Sequence, residues 1–267
     1  MCEKEVNFFL QSSSNDCFFV YGPSGIGKTT LVRILAGLSQ PLTGQIIINN
    51  NVWFDSEQKI NLAPQQRSIS YVSQEYTLFP HMTVLENILF SIRNSSAKAK
   101  EIARLLSVFK LARYKNTKPH LLSGGQQQRV AIIRALVKDS ALLLFDEPFS
   151  GQDSALKKVL RQEIKKIHKK NNTITIFISH DMSEGLLLSN YILFMNASSF
   201  FVVKNDYQQQ SGLLPIIAEV TRSDKNGAVE LSSGEYTFTF TTSEILNIGD
   251  RVLVPLKPLY SHLKKIK

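Results

Sequence analysis

An eight-residue segment near the start of the chain most constrains its fold. Residues 22–29 read Gly-Pro-Ser-Gly-Ile-Gly-Lys-Thr, which matches the pattern G-x-x-x-x-G-K-[ST]. The apolar run at 17–21 precedes this segment as a predicted buried strand, and a helix is predicted over 29–38. A strand, a glycine-rich turn and a helix in this order are the context of a phosphate-binding loop.

The residue types in this loop suit a nucleoside triphosphate. Glycines let backbone N–H groups converge on phosphate oxygens, and the helix N-terminus adds the positive end of its dipole. Lys28 can reach the β- and γ-phosphates, and the Thr29 hydroxyl can bind Mg²⁺. A plain glycine-rich turn and a Rossmann loop are the alternatives; the flanking elements disfavour the first, and the glycine order disfavours the second. The predicted nucleotide contacts are Gly22, Pro23, Ser24, Gly25, Ile26, Gly27, Lys28, Thr29 and Thr30.

A second segment supplies acidic groups. Residues 141–145 form an unbroken apolar run, typical of a central parallel strand, and the run ends in Asp146 and Glu147. A carboxylate at the C-terminal end of such a strand lies where α/β sites assemble, so Asp146 can bind Mg²⁺ directly or through water. Glu147 can polarise an attacking water. Helix capping or a salt bridge is the alternative role for this pair.

A third segment predicts a further anion site. Residues 122–126 read Leu-Ser-Gly-Gly-Gln, and a helix is predicted over 123–137 with Ser123 as its N-cap. Gly124 and Gly125 expose backbone N–H groups at the start of that helix. Because the chain has one phosphate loop, a second anion site suggests a nucleotide shared between two chains.

This set of motifs resembles the ATP-binding cassette (ABC) ATPases over nearly all of residues 5–205. The resemblance implies that Gln74 is the Q-loop glutamine, that Asp153 is the D-loop aspartate and that His180 contacts the γ-phosphate. A lone histidine at a strand end is otherwise more often structural. In this family two cassettes pair head to tail, so that Lys28 of one copy and Ser123 of the other hold each ATP.

The implied cofactors are ATP and Mg²⁺, and each group of residues has a role. The implied catalytic residues are Glu147, His180 and Gln74. The implied metal ligands are Thr29, Gln74 and Asp146. Besides the phosphate loop, the implied contacts to the shared nucleotide are Ser123, Gly124, Gly125, Gln126 and Asp153.

The chain departs from the family pattern in three places. Residues 150–153 read Ser-Gly-Gln-Asp where the family usually has Ser-Ala-Leu-Asp, which implies extra flexibility there. Gly185 follows Glu184 where alanine is common. The N-terminal strand with an adenine-stacking aromatic residue is reduced or missing, so this contact is unassigned, with Phe8 and Phe9 as substitutes.

Alternating strands and helices predict an α/β fold with a parallel sheet. The predicted fold class is a P-loop NTPase (ABC ATPase) sheet with a helical subdomain, followed by a small C-terminal β-barrel domain. The predicted bounds are 1–205 for the ATP-binding domain, about 75–122 for its helical subdomain, 206–212 for a linker and 213–267 for the barrel. Short strands and tight turns beyond the linker resemble a TOBE/Mop-like domain.

Composition restricts the possible partners and the cellular location less than the motifs do. The chain has 31 Lys and Arg against 22 Asp and Glu, a formal charge of +9, which suits nucleotides, acidic membranes, nucleic acid or a solvated basic surface. Its two cysteines lack metal-site spacing. No secretory signal is expected, and Ser and Asn interrupt the apolar stretch 186–203. We therefore expect a cytosolic protein, and the resemblance implies that a permease holds it peripherally on the cytoplasmic face of the membrane.

The resemblance extends to a transport role. Residues 78–84 resemble the importer segment that lines a groove for the permease's coupling helix, although Phe79 and Met82 can also be core residues. Residues 51–55 and 60–67 resemble those of molybdate and sulfate importer ATPases. The implied function is the ATPase of an oxyanion importer, molybdate first, with sulfate or thiosulfate, iron and polyamine importers as alternatives.

The implied partners are a second copy or a paired ABC ATPase, transmembrane permease subunits and, indirectly, a substrate-binding protein. In this family, the soluble members that act in DNA repair have a long coiled-coil insertion, and those that act in translation have two cassettes in one chain. The sequence has neither feature, so no nucleic acid is expected as a partner. The alternative from another class is a soluble, nucleic-acid-associated ABC ATPase, which the basic charge permits.

Overall fold

The structure is a computed structural model that describes residues 16–92, 95–195, 200–205, 216–223, 228–233, 236–241, 251–254 and 264–265. The chain forms two compact units, Met1–Lys204 and Asn205–Lys267. The predicted linker at 206–212 lies outside the described residues, as do Phe8 and Phe9. The predicted domain bounds of 1–205 and 213–267 therefore stay a prediction.

The first unit alternates strands and helices along the chain. Its strands are β1 (Cys17–Tyr21), β2 (Gln45–Ile48), β3 (Asn51–Asp55), β4 (Ile60–Asn61), β5 (Ile69–Val72), β6 (Leu142–Asp146), β7 (Ile174–Ile178), β8 (Tyr191–Met195) and β9 (Phe200–Lys204). Its α-helices are α1 (Lys28–Ala36), α2 (Val84–Leu89), α3 (Ser95–Val108), α4 (Gly124–Val137), α5 (Ser154–Asn171) and α6 (Met182–Leu188). Short 3₁₀ turns lie at Pro64–Gln66, Ala112–Tyr114 and Pro119–Leu121.

A six-stranded sheet in the order β5-β6-β7-β1-β8-β9 carries the core of this unit. Its first five strands pair in parallel, and β9 pairs antiparallel to β8 at the edge. Every residue of β6 and β7 is buried, as expected for central strands covered on both faces. The predicted parallel α/β sheet is confirmed, with an antiparallel edge strand that the sequence pattern did not indicate.

A smaller antiparallel sheet, β2-β3-β4, was only partly predicted. The apolar pattern of residues 44–50 predicts one strand, but β2 ends at Ile48, because Asn49 and Asn50 take positive φ angles of 49° and 63° and turn the chain into β3. Residues 51–55, which carried the substrate resemblance, form β3, and its Trp53 is buried in the core. The structure therefore gives this segment a packing role.

The apolar stretch 186–203 is also explained by packing. It contains the end of α6 and the strands β8 and β9, and residues 192–195 of β8 are buried in the sheet. Among the described residues, no helix is both long and apolar enough to cross a membrane.

The second unit is described through five strands: β10 (Ile216–Ser223), β11 (Ala228–Ser233), β12 (Tyr236–Thr241), β13 (Arg251–Val254) and β14 (Lys264–Lys265). They form one antiparallel sheet in the order β13-β10-β11-β12-β14. Within the described strands, no ladder joins β13 to β14. The predicted short strands are confirmed in the described parts of this unit, and the closure of the sheet into a barrel stays a prediction.

Gly185 in α6 departs from the family pattern because of a close approach to β1. A Cβ atom at this position would overlap the ring of Phe19. Phe19 is fully buried and packs on Phe177, with ring centroids 5.2 Å apart, so its ring has little room to move. The large aromatic residue on β1 thus requires glycine on the helix.

We expect Gly185→Ala to lower the free energy of unfolding by about 1–2 kcal/mol. Alanine gains roughly 0.5–1 kcal/mol of helix propensity, but overpacking a core costs about 1–3 kcal/mol. Gly124→Ala is the matched control, since a Cβ there meets no atom within 4 Å. Chemical denaturation of both variants measures the difference. A stability of Gly185→Ala equal to that of the control would contradict the packing argument.

Candidate nucleotide site

Four neighbouring parallel strands end at the same edge of the sheet. Their last residues are in register: Val72 pairs with Phe145, and Ile178 lies between Asp146 and Val20. The segments that leave this edge carry Gln74, Asp146 with Glu147, His180 and the loop that starts at Gly22. Residues that are far apart in sequence are therefore brought to one edge.

The predicted phosphate loop lies between β1 and α1. Gly25 and Gly27 have φ angles of 75° and 106°, a backbone conformation that residues with a Cβ rarely adopt. Gly22 passes so close to β8 that a Cβ there would overlap the carbonyl oxygen of Met195. The Lys28 Nζ donates to the carbonyl oxygens of Gly22 at 2.8 Å and Pro23 at 2.9 Å. The lysine charge therefore lies against the loop itself.

The other phosphate-loop residues continue this arrangement. Pro23 and Ser24 are exposed, Ile26 is half-buried, and its N–H contacts the Pro23 oxygen at 3.4 Å. Thr29 and Thr30 lie exposed in the first turn of α1. The start of the helix and the loop carry backbone N–H groups and hydroxyls, the donor types that an anion site uses.

Asp146 lies beneath this loop as a buried carboxylate. Burial raises the pKa of the Asp146 carboxyl, while hydrogen bonds from Thr29 and Tyr71 and the positive charge of Lys28 oppose that rise. Burial, followed by the charge of Asp146, raises the pKa of Tyr71 to about 12, so this phenol stays protonated and donates at neutral pH. Lys28, Thr29 and Asp146 therefore form one electrostatic unit.

The donor set fits a magnesium ion. Mg²⁺ prefers oxygen ligands and usually keeps several waters, bound by one or two carboxylates together with substrate phosphates. The Thr29 hydroxyl and the Asp146 carboxylate supply such oxygens side by side. No group of three or more His, Cys, Asp or Glu side chains suited to a metal occurs in the described part of the chain.

Glu147 takes a strained backbone conformation, with φ at 54°. Its N–H donates to the Ile178 oxygen at 3.0 Å, across to the neighbouring strand. Its Oε2 lies 3.0 Å from Nδ1 of His180, whose side chain is 80% exposed while that of Glu147 is 18% exposed. The Glu147 Oε2 is within hydrogen-bonding distance of the His180 ring, so the contact orients both predicted catalytic side chains.

Gln74 lies exposed in the turn that follows β5. Two later residues of this turn, Tyr76 and Thr77, have positive φ angles of 59° and 38°. Arg134 of α4 donates to the Tyr76 oxygen at 3.3 Å and so ties the turn to that helix. The backbone places Gln74 at the same edge as Glu147, and the Arg134 hydrogen bond joins its turn to α4.

The start of α4 has the geometry that the sequence predicts. The Ser123 Oγ accepts the N–H of Gln126 at 3.3 Å, and the Gln126 Oε1 accepts the N–H of Ser123 at 2.8 Å, which is a complete capping box. Gly124 is exposed with open space around its Cα, and Gly125 is half-buried. Asp153, in the nearby loop, caps α5 by accepting the N–H of Leu156 at 2.9 Å.

Three residues of the site were not found from the sequence: Tyr71, Gln128 and Gln152. Gln128 is fully buried, and its Nε2 donates to the Glu147 carbonyl oxygen at 2.9 Å. The Gln152 Nε2 donates to the Gln128 Oε1 at 2.6 Å. A signal for Gln128 was available, because it lies on the same helical face as the apolar residues 131, 132 and 135. Tyr71 and Gln152 have no comparable local signal.

Comparisons with known proteins agree with this geometry. The ATP-binding cassette of a dimer bound to ADP and Pi, in a post-hydrolysis state, superposes with a TM-score of 0.63 and 29% identity, covering 75% of this chain and 89% of that one. The sequence profile of the ABC transporter family matches residues 5–150. The chain belongs to the ABC transporter family and is one of its ATP-hydrolysing cassettes.

The chain is also similar in sequence to several proteins that are named import ATP-binding proteins. It is 34% identical to the spermidine/putrescine import ATP-binding protein PotA of Oleidesulfovibrio alaskensis, over 94% of this chain and 70% of that protein. It is 40% identical to a probable sulfate/thiosulfate import ATP-binding protein of Chlorella vulgaris, over 70% of this chain and 78% of that protein. The Fe(3+) ions import ATP-binding protein of Fusobacterium nucleatum is 32% identical, over 94% and 69% of the two chains.

Proposed function

We propose that this chain is the ATP-binding subunit of an importer and that Glu147 polarises the water that attacks the γ-phosphate of ATP. The observation that carries the catalytic part is the convergence of Lys28, Asp146, Glu147 and His180 at one edge of the sheet. The names of the three relatives, all import ATP-binding proteins, support the transport part.

Each residue of the proposed mechanism acts on the nucleotide or on water. The phosphate loop and Lys28 hold the β- and γ-phosphates. Thr29 and Asp146 would hold Mg²⁺, which would neutralise phosphate charge when bound. Glu147 accepts a proton from the attacking water. His180, whose Nδ1 lies 3.0 Å from the Glu147 Oε2, contacts the γ-phosphate. Gln74 contacts this water and would also bind Mg²⁺.

Two copies pair head to tail in this proposal. The capped start of α4, with Ser123, Gly124, Gly125 and Gln126, binds the ATP held by the partner's phosphate loop. In this proposal Asp153 also lies at the interface between the two copies. The dimeric post-hydrolysis cassette supports this pairing.

An apolar surface near the Q-loop is the proposed permease site. It consists of the segment 79–83 and Phe90, whose ring is 63% exposed and lies 4.5 Å from that of Phe79. The buried Asn87 fixes the segment: its Oδ1 accepts the N–H of Phe79 at 2.8 Å, and its Nδ2 donates to the oxygens of Phe79, Met82 and Thr83 at 3.1, 3.2 and 3.0 Å. A fixed backbone with the exposed Phe90 beside the half-buried Phe79 suits the docking of an apolar helix.

Phe90 is the better residue for testing this surface. A carboxylate at Phe79 would lie near the Arg134 guanidinium, whose Cζ is 5.7 Å from the Phe79 ring, and could pair with it. In a deletion strain complemented with Phe90→Asp, we expect substrate uptake to fall roughly tenfold or more, because the docked charge has no partner. Isotope uptake and the ATP affinity of the free subunit are measured together, and the affinity should not change.

Leu42→Asp is the matched control, since Leu42 is 75% exposed and lies outside the surface. Equal uptake by the two variants would contradict the docking proposal. Loss of ATP affinity in Phe90→Asp would assign the defect to the cassette instead.

Molybdate remains the proposed substrate. This proposal rests on the resemblance of residues 51–55 and 60–67 to segments of molybdate and sulfate importer ATPases. The three relatives named above import polyamine, sulfate or thiosulfate, and iron by their names, so these remain the alternatives. Uptake of labelled molybdate, sulfate, ferric iron and spermidine by the deletion strain separates them. Normal molybdate uptake with loss of another substrate would reassign the importer, and normal uptake of all four would contradict the import proposal.

We place the proposed subunit on the cytoplasmic face of the membrane, held by the permease and served indirectly by a substrate-binding protein. The soluble nucleic-acid-associated alternative makes a different prediction. There, DNA or RNA would stimulate ATP hydrolysis, and the stimulation would fall steeply with salt.

A further inference from the structure

The loop between β6 and α5 carries an amide that bonds to another element. Gln152 is half-buried, and its Nε2 donates to the carbonyl oxygen of Gly125 at 3.0 Å. The same Nε2 donates to the Gln128 Oε1 at 2.6 Å. Both acceptors lie in the first turns of α4, so one side chain joins the loop to the start of that helix.

The loop reaches this position through a specific backbone turn. Gly151 has a φ angle of 68°, which glycine adopts without strain, and the neighbouring Phe149 is buried. The Gln152 N–H lies 3.4 Å from the Phe149 oxygen. The glycine that implied flexibility in the sequence therefore directs Gln152 toward α4.

Gln152 completes the hydrogen bonding of a buried amide. Gln128 is fully buried; its Nε2 donates to the Glu147 carbonyl oxygen at 2.9 Å and to the Ser150 Oγ at 3.0 Å. Its Oε1 accepts from Gln152. The chain of contacts therefore runs from the backbone of Glu147 through two amides to the backbone of Gly125.

Gly125 and Gln152 also fit each other sterically. A Cβ at position 125 would lie 3.0 Å from the Gln152 Nε2 and 3.5 Å from its Oε1. The amide thus covers the Cα of Gly125, and it can approach because that residue is glycine. The start of α4 is held from the side by the loop as well as by its own capping box.

We propose that Gln152 is a positioning residue that links the two composite ATP sites through one chain. The inference rests on the proposed pairing of two cassettes, in which Glu147 acts on the chain's own ATP and Ser123 and Gly125 on the partner's. The Gln128–Gln152 amide pair holds these two groups at a set distance. Movement of the Glu147 backbone is thereby passed to the first turn of α4.

The test measures ATP-driven dimerisation of Gln152→Leu in a Glu147→Gln background, where slow hydrolysis preserves the ATP-bound state. Leucine keeps most of the volume and loses the amide, leaving the buried Gln128 oxygen without this donor. We expect a dimer dissociation constant roughly tenfold or more higher, with the ATP affinity of the monomer changed less than about twofold. In the Glu147 wild-type background, we expect a lower kcat and loss of cooperativity in ATP.

Gln152→Glu is the second variant, because it keeps the shape while a carboxylate cannot donate to the Gly125 oxygen. Gln45→Leu is the matched control: it also loses an amide donor, a 2.7 Å bond to Asp55, in the small sheet. A melting temperature measured for each variant separates loss of fold from loss of coupling. A purely structural role would lower the melting temperature and leave the dimer constant and cooperativity unchanged.

The outcomes are distinct. If the Glu147→Gln protein with Gln152 intact does not dimerise with ATP, the proposed pairing fails and the inference falls with it. If that protein dimerises and both Gln152 variants match it in dimer constant and cooperativity, the pairing stands and the role of Gln152 is overturned. Weaker dimerisation and lost cooperativity in both variants, against an unchanged Gln45→Leu, support the proposal.

Discussion

Glu147→Gln is expected to lower ATP hydrolysis by about 10²- to 10⁴-fold, the range typical of losing a general base. The amide keeps the shape of the side chain, and the backbone contacts of Glu147 with Ile178 and Gln128 do not depend on the carboxylate. ATP binding should therefore survive. Steady-state turnover and nucleotide affinity measure the two effects, and size exclusion with ATP should show a dimer that accumulates.

Glu101→Gln is a suitable control for this variant. Glu101 is a carboxylate in a surface ion pair with Lys170 at 3.2 Å, so its amide should leave turnover nearly unchanged. Turnover near the wild-type value in Glu147→Gln would remove Glu147 from the proposed role. Equal losses in both variants would point to a general effect on the fold.

Lys28→Ala is expected to weaken ATP binding itself by roughly 10- to 150-fold. A hydrogen bond to a charged group contributes about 1.5–3 kcal/mol, which corresponds to that range of dissociation constants. Lys28 is half-buried against its own loop, where its charge also faces Asp146. Titration with a fluorescent ATP analogue measures the affinity.

Lys100→Ala serves as the control because Lys100 is exposed on α3. An unchanged affinity in Lys28→Ala would show that the loop amides alone hold the phosphates. This result would contradict the assigned role of the lysine without affecting the fold.

A mixture of Lys28→Ala with Ser123→Arg extends this experiment to the shared site. The arginine adds bulk at the capped start of α4, so this variant should bind ATP as a monomer and fail to pair. In a head-to-tail dimer of the two variants, one composite site carries both defects and the other has intact parts. Dimerisation or ATPase activity regained on mixing would support the shared site, and mixtures without either would weaken it.

Local chemistry explains why the motifs could be predicted from sequence. The phosphate loop, the buried strand before Asp146 and the Ser123 cap depend on residues within a few positions of one another. The apolar periodicity and the N-cap residue Ser123 also predicted the start of α4 within one residue of its observed position. A glycine-rich turn between a strand and a helix has few alternative conformations, so its sequence pattern determines its shape.

The small sheet and the bounds of several helices could not be predicted in the same way. The helix predicted over 29–38 ends at Ala36, because Gly37 takes a φ angle of 78° and its N–H bonds back to the Ile34 oxygen at 3.0 Å. The apolar residues at 102, 105, 106 and 109 predict a helix over 95–111, but the observed α3 ends at Val108, and Lys110 beyond it has a φ angle of 56°. Apolar periodicity continues past both ends, so it does not mark them.

The sequence by itself determined the glycine-rich loop proposed to bind phosphate, the acidic strand end and the capped start of α4 in this ABC cassette, since each is a local pattern. Only the tertiary structure decided that Gln74, Glu147 and His180 meet at one edge, that Phe19 requires glycine at 185, and that Gln152 joins Gln128. These pairings depend on strand order and on side-chain packing between elements distant in sequence. Such contacts form only when the sheet has assembled, so no short stretch of the chain encodes them.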